Sequence, residues 1–95
     1  MLFAVTALDK PDHLPVRMEN RPAHLDFLKA NLDKIKIGGP VLDPDGQSPV
    51  GSLLIIEAGD RESVEALLAN DPYAKAGLFG SVEIRPWTWV IGQPD

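Results

Sequence analysis

An α+β fold with the element order β-α-β-β-α-β is the architecture that the sequence predicts for this chain of 95 residues. Three observations lead to this prediction. Apolar, strand-like segments begin and end the chain, two more follow each other in the middle, and a helical pattern lies on each side of that central pair. A chain of this length is expected to form one domain, residues 1–95, with a modest core.

The first strand, Leu2 to Leu8, is apolar on both faces, which indicates that both sides of its sheet are covered. A turn rich in Asp and Pro ends it. The segment 13–20 has no clear pattern, because Pro15 restricts a helix there to its first turn. A helix is therefore predicted to begin near Pro22, a residue that suits the first helical position.

The predicted first helix carries an apolar stripe at helical spacing, formed by Leu25, Leu28 and Leu32. Arg21 and His24 lie on or beside that stripe, one turn closer to the helix start.

Two central strands follow the first helix. Ile35-Lys36-Ile37 alternates and continues into Gly38-Gly39-Pro40, where two glycines permit a close backbone approach. The residues from 43 to 49 have the composition of a hairpin loop. The next strand, Gly51 to Glu57, contains the run Leu53-Leu54-Ile55-Ile56, which predicts burial on both faces.

Asp60 is placed to cap a second helix, whose apolar stripe is Val64, Leu67 and Leu68. The same helical spacing leads on to Asp71. A long last strand is predicted from Gly80 to Ile91, and Pro86 indicates that this strand lies at an edge or is bulged there.

The resulting order is that of the split βαβ, or ferredoxin-like, arrangement, in which two helices cover one face of a four-stranded antiparallel sheet. The other face would be exposed in a monomer. An apolar face of that size is normally a partner surface, so a two-fold homodimer with its sheets packed face to face is expected.

The composition excludes several functional classes. The net charge of -5 and the scattered basic residues argue against a nucleic-acid partner. The chain has no cysteine and no apolar run long enough for a membrane span, so a cytoplasmic protein is the default expectation. No phosphate-binding glycine loop and no cluster with metal-ligand spacing occurs, so neither a cofactor nor a metal is predicted.

His24 and Asp71 are the strongest candidates for chemistry. His24 could be a general base, or a histidine at the helix border that is hydrogen-bonded to backbone. Asp71 precedes Pro72 and could cap a short helix beginning there. The two roles of Asp71 are compatible, because a cap needs one carboxylate oxygen and the other could accept from an imidazole N–H. The fold order allows the two residues to reach the same end of the sheet.

Two further residues could bind a ligand. Arg21 could clamp a substrate carboxylate or pair with an acid at the surface. Tyr73 could donate to a substrate oxygen or be a packed aromatic residue with its hydroxyl in water.

Three short motifs in this order resemble the YciI-like (YCII-related) family: Arg21-Pro22-Ala23-His24-Leu25, Gly38-Gly39-Pro40, and Asp71-Pro72-Tyr73 followed by Ala76-Gly77-Leu78. The resemblance extends over nearly the whole chain. It implies a dimeric α+β barrel of ferredoxin-like subunits, or a higher oligomer, with a pocket in which His24 and Asp71 form a catalytic dyad. Since one relative is a dehydrochlorinase of chlorinated aromatics, it also implies that such a dyad could run an elimination without a cofactor.

Two functions are compatible with these observations. The first is a cofactor-free enzyme of the lyase or hydrolase type that acts on a small polar or aromatic molecule. His24 and Asp71 would be its catalytic residues, and Arg21, Tyr73, Gly39 and Pro40 would contact the substrate. The alternative is a non-catalytic module of the same dimeric barrel that binds a small ligand. An accessory domain acting only through protein contacts is a third possibility.

Overall fold

The computed structural model of the protein describes residues 1–94 and has the predicted element order, with one additional short helix before the last strand. The strands are β1 (Leu2–Asp9), β2 (Ile35–Leu42), β3 (Pro49–Glu57) and β4 (Phe79–Trp87). The helices are α1 (Leu14–Ala30), α2 (Arg61–Leu68) and α3 (Pro72–Lys75).

The four strands form one antiparallel sheet in the order β2-β3-β1-β4. One face of this sheet is covered by the helices, and the core lies between the sheet and the helices. Val64 of α2 and Ile56 of β3 are completely enclosed there. This arrangement confirms the ferredoxin-like fold. Buried residues of the core are Phe3, Val5, Ile35, Leu54, Ile56, Val64 and Ile84.

The first helix differs most from its prediction, because it begins at Leu14 and contains Pro22 in its interior. Pro15 occupies the first turn, where its missing N–H has no helical acceptor to lose. Pro22 leaves the carbonyl of Met18 without its helical donor, but both residues lie on the exposed side, where water can bond it.

The buried face of α1 also differs from the predicted stripe. It is marked by Arg17 and His24, while Phe27 and Leu28 pack against the core from partly exposed positions. Leu32 lies beyond the end of the helix and is 65% exposed, so its assignment to the stripe was wrong. No helix within residues 1–94 is long and apolar enough to cross a membrane.

The last strand is shorter than predicted, because it ends at Trp87 rather than Ile91. Trp87 pairs with Leu2, the first residue of β1, so no neighbouring strand remains beyond it. β4 is an edge strand, one of the two positions that Pro86 predicted. Pro86 lies opposite Phe3, and because β4 is at the edge, this proline does not interrupt a central ladder.

The face of the sheet that carries no helix, here called the open face, displays apolar side chains. Leu53 and Ile37 are 43% and 41% exposed on neighbouring strands. In the run from Leu53 to Ile56, Leu54 and Ile56 point to the helices and Ile55 is buried on the other face. The predicted burial on both faces is therefore confirmed for this run except at Leu53.

Candidate functional site

His24 and Asp71 meet where the middle of α1 approaches the start of α3. The Nδ1 atom of His24 lies 2.9 Å from the Oδ1 atom of Asp71. The residues are 7% and 1% exposed, respectively, so the contact is buried. Two residues separated by 47 positions in the chain thus form a single hydrogen-bonded pair.

The position of Asp71 follows from the local sequence. Asp71 caps α3 by accepting a 2.9 Å hydrogen bond from the Tyr73 N–H, and Pro72 occupies the first turn of that helix. The expectation that one carboxylate oxygen caps while the other receives the imidazole was wrong, because Oδ1 accepts both bonds. One carboxylate oxygen has lone pairs for both donors. The second oxygen, Oδ2, is left without a partner within residues 1–94.

The pairing determines which nitrogen of His24 can accept a proton. An ionised carboxylate only accepts hydrogen bonds, so Nδ1 must carry the hydrogen in this contact. In the neutral imidazole Nε2 is then the unprotonated nitrogen. Nε2 has no hydrogen-bond partner in the described part of the chain. Every fully enclosed side-chain N or O atom in that part has a partner, so Nε2 is not fully enclosed. Nε2 is therefore accessible to a ligand.

Aromatic stacking holds the His24 ring in its plane. The rings of His24 and Tyr73 are 3.9 Å apart between centroids and 15° from parallel. Phe79 contacts the Tyr73 ring edge-on, and the Arg17 guanidinium carbon lies 4.6 Å from its centroid. Tyr73 is thus a packed aromatic residue whose ring orients the His24 ring. Its backbone N–H also donates to Asp71, the carboxylate that binds His24.

Arg17 is a central residue of the site that the sequence analysis did not identify. It is 3% exposed, and its Nε and Nη2 atoms donate to the two oxygens of Asp9 at 2.7 and 2.9 Å. Nη2 also donates to Ser52 Oγ at 3.0 Å. Burial by itself would lower the pKa of Arg17, but the hydrogen bonds and the charge of Asp9 outweigh it and raise that pKa. Arg17 is therefore a permanent cation fixed beside Tyr73, which stacks on His24.

A cavity of about 170 Å³, here called the polar cavity, opens beside His24. Side chains of α1 form one wall, and residues of β2 and β3 form the opposite wall. Five of the six predicted site residues line it: Arg21, His24, Gly39, Pro40 and Tyr73. Arg17 and Ser52 line it too, whereas Asp71 does not. Arg21 is exposed and makes no salt bridge within residues 1–94, so its charge is available to a ligand.

The two glycines in the wall of the polar cavity have different roles. A Cβ atom on Gly38 would lie 2.8 Å from a methyl carbon of Leu54, so a larger residue here would displace the end of that side chain. A Cβ atom on Gly39 would meet nothing within 4 Å. Gly39 pairs with Leu53 of the open face, so it contributes backbone rather than side-chain space to the cavity.

Burial raises the pKa of the Tyr73 phenol, and the positive charges of Arg17 and Arg21 offset part of that rise. Tyr73 is the only tyrosine, so the phenolate absorbance reports on it alone. We expect a titration midpoint above that of a solvent-exposed tyrosine. The folded state holds the phenolic proton more tightly, so this contribution to stability is lost as the pH rises through the folded-state pKa. Arg21→Gln removes a positive charge and should raise the midpoint further. Arg85→Gln changes an exposed residue of β4 and should leave the midpoint unchanged. Equal midpoints in all three proteins would contradict this prediction.

No group of three or more His, Cys, Asp or Glu side chains within residues 1–94 is arranged to hold a metal ion. The chemical groups gathered at the site are an imidazole paired with a carboxylate, two guanidinium groups and a phenol. They can move a proton and stabilise negative charge on a bound molecule.

The chain is similar to several known proteins over most of its length. A structure of 5-chloro-2-hydroxyhydroquinone dehydrochlorinase from Burkholderia phenoliruptrix, in complex with 2,5-dihydroxybenzoquinone, superposes with a TM-score of 0.85 at 39% identity, covering 93% of this chain and 94% of that one. Protein YciI from Escherichia coli is 34% identical over 96% of this chain and all of its own length. The derivative of benzaldehyde biosynthesis cluster protein C of Emericella nidulans is 37% identical over 78% of this chain and 81% of its own.

The match to a family description covers the same region. Residues 1–88 match the YCII-related domain, which spans every strand and helix of the fold together with both members of the His24–Asp71 pair. The chain belongs to the YCII-related family, as its three motifs indicated.

Proposed function

We propose that this protein is a cofactor-independent enzyme of the lyase type that acts on a small hydroxylated aromatic molecule in the polar cavity. The observation that carries the proposal is the buried 2.9 Å contact between His24 Nδ1 and Asp71 Oδ1, which leaves Nε2 of the same ring open to a ligand. A histidine oriented in this way can act as a general base and then as a general acid.

An elimination needs no electron acceptor, because the leaving group departs with its bonding pair. On a chlorinated hydroquinone-type substrate, His24 Nε2 takes a hydroxyl proton and the oxygen lone pair forms a C=O bond. His24 returns the proton to the ring carbon that bears chlorine. Loss of a second hydroxyl proton to Nε2 then expels chloride with the C–Cl electron pair, so the net change is loss of HCl. Asp71 stabilises the imidazolium at each stage.

The remaining residues of the polar cavity supply binding. The guanidinium of Arg21, which makes no salt bridge within residues 1–94, can pair with the developing oxyanion. The Tyr73 hydroxyl can donate to a second substrate oxygen. The backbone of Gly39 and the ring of Pro40 form the wall against which an aromatic ring can lie. The 39% identical dehydrochlorinase supports this substrate class. The substrate in its name and the ligand bound in its structure are both hydroxylated six-membered rings.

The test is turnover of a panel of chlorinated and unchlorinated hydroxyhydroquinones by the purified, chelator-treated protein, followed by chloride release and quinone absorbance. We expect chloride release from one or more chlorinated compounds, and a loss of about a hundredfold or more in His24→Gln. His13→Gln, which replaces the only other histidine, is the matched control and should retain activity. Ligand binding without turnover would instead favour the non-catalytic binding module.

We also propose that two copies associate through the open face, because Leu8, Ile37 and Leu53 are each more than two-fifths exposed there. Light scattering should give twice the mass of one chain. Leu53→Glu should shift the protein to the mass of one chain, because a carboxylate buried between the sheets would be desolvated. Leu32→Glu, at the exposed end of the α1–β2 connection, should remain dimeric; a wild-type mass equal to one chain would contradict the dimer.

A further inference from the structure

A second cavity, here called the apolar cavity, adjoins the dyad and is not used by the proposed reaction. It has a volume of about 150 Å³ and lies between the sheet and the segment that connects α2 to β4. Its apolar wall includes Val5, Ala7, Leu68, Ala74, Phe79 and Val82. Ser52 and Leu54 are shared with the polar cavity, so the two cavities are neighbours.

Two polar side chains, Asp71 and Ser52, line this otherwise apolar space, and the Ser52 hydroxyl already accepts a hydrogen bond from Arg17. Asp71 lines the apolar cavity, just as His24 lines the polar one. Its Oδ1 atom is used by His24 and by the Tyr73 N–H, while Oδ2 has no hydrogen-bond partner within residues 1–94. Every fully enclosed side-chain oxygen in that range has a hydrogen-bond partner. Since Oδ2 has none, it must contribute to the small accessible area of Asp71. A carboxylate oxygen is therefore exposed to the cavity and can accept a hydrogen bond.

An unsatisfied carboxylate oxygen in an apolar cavity defines the ligand that complements it. Cavities of this size with apolar walls bind a single six-membered ring. The free carboxylate oxygen requires a donor on that ring, and a hydrogen bond to an ionised group is stronger than one between neutral groups. A second anion would be repelled by Asp71, and a charged ammonium group would be costly to desolvate among apolar residues.

We infer that the apolar cavity is a second binding site, distinct from the polar cavity, for a neutral single-ring molecule with one hydroxyl donor, of the phenol class. Its hydroxyl donates to Asp71 Oδ2, and its ring packs against Phe79, Val82 and Ala74. The dyad then lies between two ligands, with His24 contacting one and Asp71 the other.

The test is an amide-resonance NMR titration of the full chain with phenol and, as an isostere without the donor, toluene. We expect phenol to shift the resonances of Ala7, Ala74 and Phe79, and to bind at least about tenfold more tightly than toluene, the factor that a 1.4 kcal/mol hydrogen bond supplies. Ala74→Leu should fill the cavity and weaken phenol binding at least tenfold. Ala66→Leu, on the exposed face of α2, is its matched control and should bind as the wild type does.

Val82→Phe provides a second way to fill the cavity from the edge strand, in case Ala74→Leu does not fold. The inference is overturned if phenol shifts the resonances around Arg21, His24 and Gly39 instead, since this would place it in the polar cavity. Equal affinities for phenol and toluene would also overturn it, as would unchanged binding in the folded filling variants. None of these readouts requires turnover, so failure of the proposed reaction leaves this site testable.

Discussion

Replacing Asp71 with asparagine is expected to lower kcat at least a hundredfold on any substrate that the wild-type protein turns over, while the fold is retained. Asparagine keeps an oxygen that can cap α3 through the Tyr73 N–H, so the local structure has a suitable substitute. It has no negative charge, however, so it cannot stabilise the imidazolium that forms when His24 takes a proton. The loss should therefore appear in kcat more than in KM.

Asp71→Ala separates the structural role of the carboxylate from its chemical role. This change removes the cap of α3 and leaves the buried Nδ1 of His24 without an acceptor. The free energy of unfolding should fall by about 2–4 kcal/mol, the sum of a lost cap and an unsatisfied buried donor. Urea denaturation of both variants measures this difference, and Asp33→Asn, an exposed acid beyond the end of α1, is the control.

A double-mutant cycle with His24→Gln tests whether the two residues act as a unit. If they do, the double variant should be about as inactive as either single variant, because removal of one member already disables the other. The nitrogen-15 shifts of the imidazole give a readout that needs no substrate, since they should show the hydrogen on Nδ1 in the wild type and not in Asp71→Ala. Activity losses that multiply in the double variant would contradict the dyad.

The element order was predictable because each element has a local pattern. Asp60 and Asp71 were recognised as caps from their own neighbourhoods, and both caps are present, with Asp60 accepting from the Ser63 N–H. Pro86 predicted that β4 lies at an edge or is bulged, and the edge is what the structure shows. The early end of β4 was not predictable, because that depends on where β1 begins, and β1 lies at the other end of the chain.

The site was only partly predictable. His24 and Asp71 were found through their types and the resemblance, although no local pattern relates residues 47 positions apart. Arg17 was missed because the start of α1 was misplaced: with a helix from Leu14, Arg17, Arg21 and His24 recur on one face at i, i+4 and i+7. Its partners Asp9 and Ser52 are brought to it only by the tertiary fold.

Substituting Arg17 with methionine is expected to lower the free energy of unfolding by about 3–5 kcal/mol, the cost of breaking a buried ion pair. The carboxylate of Asp9 is as enclosed as the guanidinium, with side chains 4% and 7% exposed for Arg17 and Asp9. Removal of Arg17 leaves that charge desolvated and without a donor. It also removes the cation from the face of Tyr73, which stacks on His24.

The double variant Arg17→Met/Asp9→Leu distinguishes a lost attraction from an uncompensated charge. Two apolar side chains of similar size should recover most of the stability, because neither buried charge then remains. Urea denaturation measures this recovery, and Arg85→Met is the matched control, since its ion pair with Glu83 is exposed and should contribute less than about 1 kcal/mol. If the double variant is as unstable as Arg17→Met, the network rather than the charge of Asp9 determines the cost, because Ser52 and Tyr73 then need the guanidinium itself.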